Sequence, residues 1–510
     1  MNARPALPPP HAGRQPVART VSFLLTWLLL AAALPAGPGS GTLRAQEARA
    51  ESRLELEPCS VEGVAGEIRC GTFRVPENRG GEDGGTIDLS VTVLRATGPD
   101  PAPDPVVYLV GGPGAAATGV DAAFENLPRL RRRRDVVLVD QRGTGDSNRL
   151  DCDYTWGGPG ASYTESFLPV DRVRACREEL EERADLGQYT TPVAMDDLDE
   201  VRQALGYERV NLWGGSYGTR AALVYLRRHG EHVRSVILAG PDLSFRYGSA
   251  AVALASERAL ERLASRCRSD ASCGERHPDL RAEVDTVLDR LERDPATARV
   301  PSPAGDTVRV EIGRHDFAEG LRYLMYGADA AAGIPGLVER ARSGDFRRFG
   351  AILLRIRASL TGQAADGMYL SVDCAEVVPR IDSADLVRVD SASFLRGERA
   401  RQRIRACAEW PRGDLPPGFH EPVGGRTPTL VLAGGLDPTI PVGWTRTVTR
   451  WLRNSRRVVF PNRGHELGPN SADACMRRIV TGFFQNPEPA ALDASCVRGS
   501  GNLDFPHDGP

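Results

Sequence analysis

The segment from Val210 to Gly218 constrains this chain more than any other. The apolar run Val210-Asn211-Leu212 leads into Trp213-Gly214-Gly215-Ser216-Tyr217-Gly218, and a helical pattern follows at once. Ala221, Leu223, Val224 and Leu226 recur at helical spacing, and Gly230 supplies a stop. A serine between an entering strand and a leaving helix must sit on a turn so tight that only glycines fit beside it. Its hydroxyl is then held out at the end of the strand, where a base can reach it. The short pattern alone says little, because 54 glycines in 510 residues make a chance match common. The strand before it and the helix after it give it weight.

Composition narrows what that serine can do. The chain has no lysine, so all 64 of its Lys-plus-Arg residues are arginine. This excludes a Ser–Lys dyad, a Schiff-base or pyridoxal-phosphate lysine and a phosphate-loop lysine. A serine nucleophile here needs a histidine. The net charge of −3 argues against a nucleic-acid partner. With 41% hydrophobic and 26% charged residues the chain is globular in composition, and its 510 residues suit two domains or one core with a large insertion. The run Arg131-Arg132-Arg133-Arg134 reads as a solvated helix end ahead of a strand.

Residues 1–45 read as an export signal and leader. Arg14 and Arg19 precede an apolar stretch from Val21 to Ala33, then the helix-breaking Leu34-Pro35-Ala36-Gly37. That stretch falls short of the ~20 residues of a membrane span, so no stable span is expected after signal removal. Cleavage after Ala36 or Ala45 fits the small-residue rule; the alternative is an uncleaved anchor. Ten cysteines fit an exported, periplasmic or extracellular chain. They fall into neighbours along the sequence: Cys59 and Cys70, Cys152 and Cys176, Cys267 and Cys273, Cys374 and Cys407, Cys475 and Cys496. Spacing leaves their connectivity open. No Cys-x-x-Cys and no His-Glu-x-x-His occurs, so neither a metal site nor a cofactor is expected.

Strands and helices alternate through the first half. Apolar runs at Ile68–Val75, Ile87–Leu94, Val106–Val110, Val136–Val139 and Val236–Leu238 suit strands of a mostly parallel, doubly covered sheet. A helix is expected from about Pro192, capped by Thr191 and stopped at Gly206. After about Pro241 the pattern turns helical; Leu280, Val284, Val287 and Leu291 share one face, and Val308–Ile312 reads as a lone strand. Sheet signals return at Thr429–Leu432 and Val458–Phe460. The reading is an α/β core at 46–241 and 425–510, interrupted after its sixth strand by a mainly helical cap at 242–424.

A serine hydroxyl needs a base, and the base needs an orienting carboxylate. Asp437 follows one late strand and His465 the next, both on loops at strand C-terminal ends, in the order Ser, Asp, His. The other histidines fit worse: His11 lies in the leader, His229 and His232 flank the helix after Ser216, His277, His315 and His420 lie in the insertion, and His507 in the tail. An oxyanion needs two backbone N–H donors. Tyr217 is one. The other comes from Gly111-Gly112-Pro113-Gly114 after the Val106 strand; Pro113 has no N–H, so Gly112 is expected, with Gly111 the alternative. Asp140-Gln141-Arg142-Gly143 reads as a structural turn supporting that loop.

Together Gly111-Gly112-Pro113-Gly114, Asp140-Gln141-Arg142-Gly143, Gly214-Gly215-Ser216-Tyr217-Gly218, Asp437 and His465 resemble the proline iminopeptidase and tripeptidyl aminopeptidase branch of the α/β-hydrolases, over most of residues 55–500. Cys475 and Cys496 are similar to paired cysteines of the exported tripeptidyl aminopeptidase subgroup. The resemblance implies an α/β-hydrolase fold and release of single residues or short peptides from free N-termini. It also implies a cap carboxylate that binds the substrate ammonium, for which Glu376 stands in the right region. Val110 departs from the histidine many relatives carry there, and Ala115-Ala116-Ala117 from their glycine and serine. Two other readings share the sequence: an esterase or lactone hydrolase on the same scaffold, and a non-catalytic binding protein with a hydrolase fold. A peptide or small ester is the expected partner; the oligomeric state is open.

Overall fold

A computed structural model describes residues 54–81, 85–119, 128–152, 168–301, 305–360, 363–469, 471, 473–500 and 503–506. The expected signal and leader at 1–45 lies outside the described residues. Strands β1 (Glu57–Pro58), β2 (Ile68–Pro76), β3 (Thr86–Leu94), β4 (Val106–Leu109), β5 (Val136–Val139), β6 (Val210–Gly215) and β7 (Val233–Ala239) precede a short hairpin, β8 (Ala296–Pro301) and β9 (Thr307–Ile312). Strands β10 (Thr429–Gly434) and β11 (Ser455–Phe460) follow it. Nine of them form one sheet in the order β1-β2-β3-β5-β4-β6-β7-β10-β11. The β1–β2, β2–β3 and β3–β5 pairs are antiparallel, and β5 through β11 run parallel.

The parallel strands have the composition that position demands. Every residue of β4, β5, β6 and β10 is buried, as expected where helices cover both faces. Alternate side chains point to opposite faces. Val107, Leu109, Leu212 and Leu238 join the core with helices α1 (Thr191–Ala204) and α2 (Tyr217–His229). Tyr108, Trp213, Ile237 and Leu432 share the opposite core with Ile479 and Phe483 of the C-terminal helix Ala474–Gln485. Helix α1 begins one residue earlier than the sequence implies, with Thr190 in the extended capping position; Gly206, at φ +77°, follows its end.

Strands β7 and β10 are parallel neighbours, yet residues 240–428 intervene between them. That insertion carries a core of its own. Helix α3 (Ala250–Ser269) contributes Leu260 and Leu263, helix α4 (Arg314–Leu324) contributes Phe317 and Leu321, and Leu280, Val284, Val287 and Leu291 are each at most 1% exposed. The lone strand expected at Val308–Ile312 has a partner: β8 pairs with it antiparallel, burying Ala298, Val300, Val310 and Ile312. Helix α5 (Asp366–Glu376), buried along most of its length, follows in the insertion. Residues 52–510 form one compact unit. Among the described residues no helix is long and apolar enough to cross a membrane.

In the arginine run, Arg132 and Arg133 are exposed as expected, and the other two are not. Arg131 and Arg134 are 2% and 6% exposed, not solvated. Arg131 donates to the carbonyls of Ala65 and Arg95, and Arg134 to those of Asp104 and Phe484, so both guanidinium groups are held by backbone acceptors.

All ten cysteines are paired, each with its sequence neighbour: Cys59–Cys70, Cys152–Cys176, Cys267–Cys273, Cys374–Cys407 and Cys475–Cys496. Cys374–Cys407 spans 33 positions, the longest of the five loops, and ties α5 to the helix Glu398–Cys407. Loop-closure entropy for that separation is worth about 3.7 kcal/mol. The Cys374→Ala/Cys407→Ala pair is therefore expected to lower unfolding stability by about that amount, read from urea unfolding with the slope fitted for each variant, because the freed unfolded chain exposes more surface.

Candidate active site

Ser216 sits at φ +54°, ψ −121°, a conformation that L-residues rarely adopt. The cause is the close approach of β6, β4 and α2. A β-carbon on Gly214 would stand 2.4 Å from the Gly218 carbonyl oxygen, and one on Gly218 only 1.8 Å from that of Leu109. Only glycine fits either position, and the serine between them takes the strain. Its own N–H is held by the Ala239 carbonyl at 2.9 Å, which fixes the turn against β7.

The strand ends bring two other loops to this point. His465 Nε2 lies 3.0 Å from Ser216 Oγ, and His465 Nδ1 lies 2.8 Å from Asp437 Oδ2. Asp437 is 4% exposed, and its Oδ1 accepts the backbone N–H groups of Thr439 and Ile440, each at 2.8 Å. One carboxylate oxygen is thus committed to the backbone and the other to the imidazole. Burial pulls the His465 pKa down, but the adjacent Asp437 charge and hydrogen bond outweigh it and leave the ring above the ordinary 6.5.

Gly111-Gly112-Pro113-Gly114 lies against the serine. A β-carbon on Gly111 would stand 3.2 Å from Ser216 Cβ, and Gly112 adopts φ +118°. Tyr217 opens helix α2, so its N–H points outward from the positive end of the helix. Asp140 accepts from Thr118 N–H and from Asp146 N–H, tying down the segment just beyond the glycine loop. Arg142, fully buried, donates to both carboxylate oxygens of Asp197 at 2.6 and 2.9 Å and anchors the same turn to α1. Segment 364–366 packs on the other side, with Ala365 N–H donating to the Gly114 carbonyl at 2.8 Å.

Glu376 does not take the ammonium-binding position the resemblance implies. It is 0% exposed; its oxygens accept from Thr191 N–H (2.7 Å), Thr191 Oγ1 (2.9 Å) and Arg220 (3.0 Å). Arg220 also donates to Asp242 at 2.5 Å and Ser244 at 2.8 Å. Glu376 therefore belongs to a buried ion-pair cluster beneath α2, with no face left for a substrate.

Tyr326, just beyond α4, was not legible from sequence. Its carbonyl accepts the N–H groups of His465 (2.9 Å) and Glu466 (3.3 Å), and its ring stands edge-on to the imidazole with centroids 4.9 Å apart. Its hydroxyl bonds Thr439 Oγ1 at 2.8 Å and accepts from Arg322 at 3.0 Å. Nothing in the pattern of a helix C-terminus signals such a contact across 139 positions. The Asp437-Pro438-Thr439 turn was more readable, because an aspartate commonly accepts the N–H two residues on. Among the described residues no group of His, Cys, Asp and Glu is arranged to hold a metal ion.

Residues 104–267 match the α/β hydrolase fold family, and residues 392–496 match the family of TAP-like proteins. Fold and matches together define an α/β hydrolase, and within it a serine hydrolase of the peptidase kind. Over nearly its whole length the chain is similar to the serine protease Hip1 of Mycobacterium tuberculosis, at 26% identity over 529 residues, covering 93% of this chain and 98% of that one. Tripeptidyl aminopeptidase of Streptomyces lividans is 28% identical over 218 residues, 39% of this chain and 40% of that one. Proline iminopeptidase of Neisseria meningitidis is 30% identical over 136 residues, 27% of this chain and 32% of that one.

Two outcomes follow from the site's electrostatics. Arg220→Met strands two buried carboxylates, Glu376 and Asp242, and is expected to cost about 3–5 kcal/mol in urea unfolding. Asp366, beside the glycine loop, is pushed from 3.8 up to about 7 by burial and by the Asp151 carboxylate. Between those values the folded chain holds a proton that the unfolded chain gives up, so stability falls as pH rises across the window. Asp366→Asn is therefore expected to raise Tm at about pH 8 and to leave it unchanged at about pH 4.

Proposed function

We propose that the chain is an exported aminopeptidase acting through a Ser216–His465–Asp437 triad and an acyl-enzyme. The observation that carries the reading is the continuous hydrogen-bonded line from Ser216 Oγ through the imidazole to Asp437. Ser216 Oγ attacks the substrate carbonyl carbon while its proton passes to His465 Nε2. The N–H groups of Gly112 and Tyr217 receive the developing oxyanion. His465 then returns the proton to the leaving amine, and water, activated by the same imidazole, releases the acyl product. Asp437 keeps the Nδ1–H tautomer and stabilises the transient imidazolium. Residues 242–424 act as the cap, and their Tyr326 contact to the histidine loop supports that role.

Cleavage from free N-termini is supported by the names of two relatives, a tripeptidyl aminopeptidase and a proline iminopeptidase. Export is supported by five disulfides and by the apolar stretch from Val21 to Ala33.

Ser216→Ala is expected to abolish turnover at unchanged Tm, and Asp437→Asn to lower kcat by about 10⁴-fold. The base must be neutral, so the acid limb of kcat/KM should fall above pH 6.5 in the parent and move down in Asp437→Asn. Chromogenic mono-, di- and tripeptide amides with free and acetylated N-termini, run beside simple esters, test specificity. Free-amine peptides should turn over fastest; faster turnover of acetylated peptides or esters would overturn the aminopeptidase reading.

A further inference from the structure

Beside Asp437 lies a cavity of about 380 Å³. Four arginines line it: Arg258 and Arg262 from α3, Arg446 from helix α6 (Val442–Trp451), and Arg457 from β11. Many guanidinium groups of the chain pair with carboxylates, as at Arg74–Asp88, Arg401–Asp390 and the buried Arg142–Asp197. Among the described residues, none of these four has an ion-pair partner. Glu261 acts on Arg258 from a distance, without an ion-pair contact. The one carboxylate lining the cavity, Asp437, already serves His465 and two backbone N–H groups.

The arrangement sets like charges against one another. Arg258 and Arg262 stand four apart on one helix, a spacing at which like charges repel. Burial lowers the Arg258 pKa, and the Arg262 charge lowers it further; burial, Arg446 and Arg262 do the same to Arg457. Two of the four are held in place by neutral partners, Arg262 by the Gly435 carbonyl at 2.7 Å and Arg457 by Thr445 Oγ1 at 2.5 Å. The first turn of α6, at Val442 and Gly443, lines the same cavity, and the leading N–H groups of a helix lack intrahelical acceptors.

We propose that this cavity is a binding site for a multiply charged phosphate group. Guanidinium forks match phosphate oxygens in geometry, and a group of two or more negative charges relieves the repulsion among all four arginines. The volume exceeds that of a single phosphate, leaving room for a pyrophosphate, an organic phosphomonoester or the headgroup of an acidic phospholipid. The site is separate from the nucleophile and does not depend on the proposed specificity.

Calorimetric titration of the folded chain with pyrophosphate, at constant ionic strength set by sodium chloride, tests it. Saturable binding is expected, weakened by about tenfold or more in Arg262→Gln/Arg457→Gln. An Arg453→Gln control outside the cavity should bind as the parent does. Without ligand the double variant should match or exceed the parent Tm, because repulsion is removed, while pyrophosphate should raise only the parent's Tm. Sedimentation with phosphatidic acid vesicles, against phosphatidylcholine vesicles, separates the sources: vesicle binding lost in the double variant assigns a headgroup, and pyrophosphate binding without it assigns a soluble phosphate. Binding of neither probe, or equal binding by parent and double variant, overturns the proposal.

Discussion

The contact between Gly218 and the Leu109 carbonyl governs the architecture around Ser216. With 1.8 Å between a hypothetical β-carbon and that oxygen, helix α2 can press onto β4 only because position 218 carries no side chain. That closeness forces the chain to reverse within Gly214–Gly218 and drives Ser216 to positive φ. It also brings the first N–H of α2 and the glycine loop after β4 to the same side of the serine. The parallel neighbours β7, β10 and β11 end at the same level, so the loops carrying Asp437 and His465 arrive there without special provision.

A chain without lysine must do all its cationic work with guanidinium groups, and the interior reflects it. Arg142, Arg220 and Arg322 are each at most 3% exposed, and each is surrounded by several oxygen acceptors. A planar fork with five donors can satisfy two or three partners at once, which a buried ammonium does less well. The cluster of Glu376, Arg220 and Asp242 fixes α5 of the insertion to α2 of the core. Such a cluster is weak as a source of net stability and strong as a source of register, since any displacement leaves a charge buried alone.

Much of this was readable from the chain itself. Runs such as Val136–Val139 are short, wholly apolar and bounded by polar turns, so their burial on both faces follows from composition. The Ser216 turn, Asp437 and His465 were identifiable because each sits just beyond a strand. What escaped depended on packing between distant segments. Arg131 and Arg134 look like surface charge in sequence, yet the carbonyls of Ala65 and Phe484 that hold them lie far along the chain. The strand Ala296–Pro301 alternates small and polar residues too briefly to declare itself without its partner. Glu376 stood in a plausible segment, but which face of α5 turns inward is decided by Arg220, 156 positions away.

The hydrogen bonds from His465 and Glu466 to the Tyr326 carbonyl bear on how such enzymes diversify. The inserted helices are not a detachable module set on a finished catalyst. One of their backbone oxygens belongs to the scaffold that orients the imidazole, and Gly464 is so close to it that a β-carbon there would stand 2.3 Å away. Any replacement for the insertion would have to place a carbonyl oxygen at the same point. The short stretch Met325–Gly327 is thereby pinned by the loop that carries His465, a constraint that this contact does not place on the helices to either side of it.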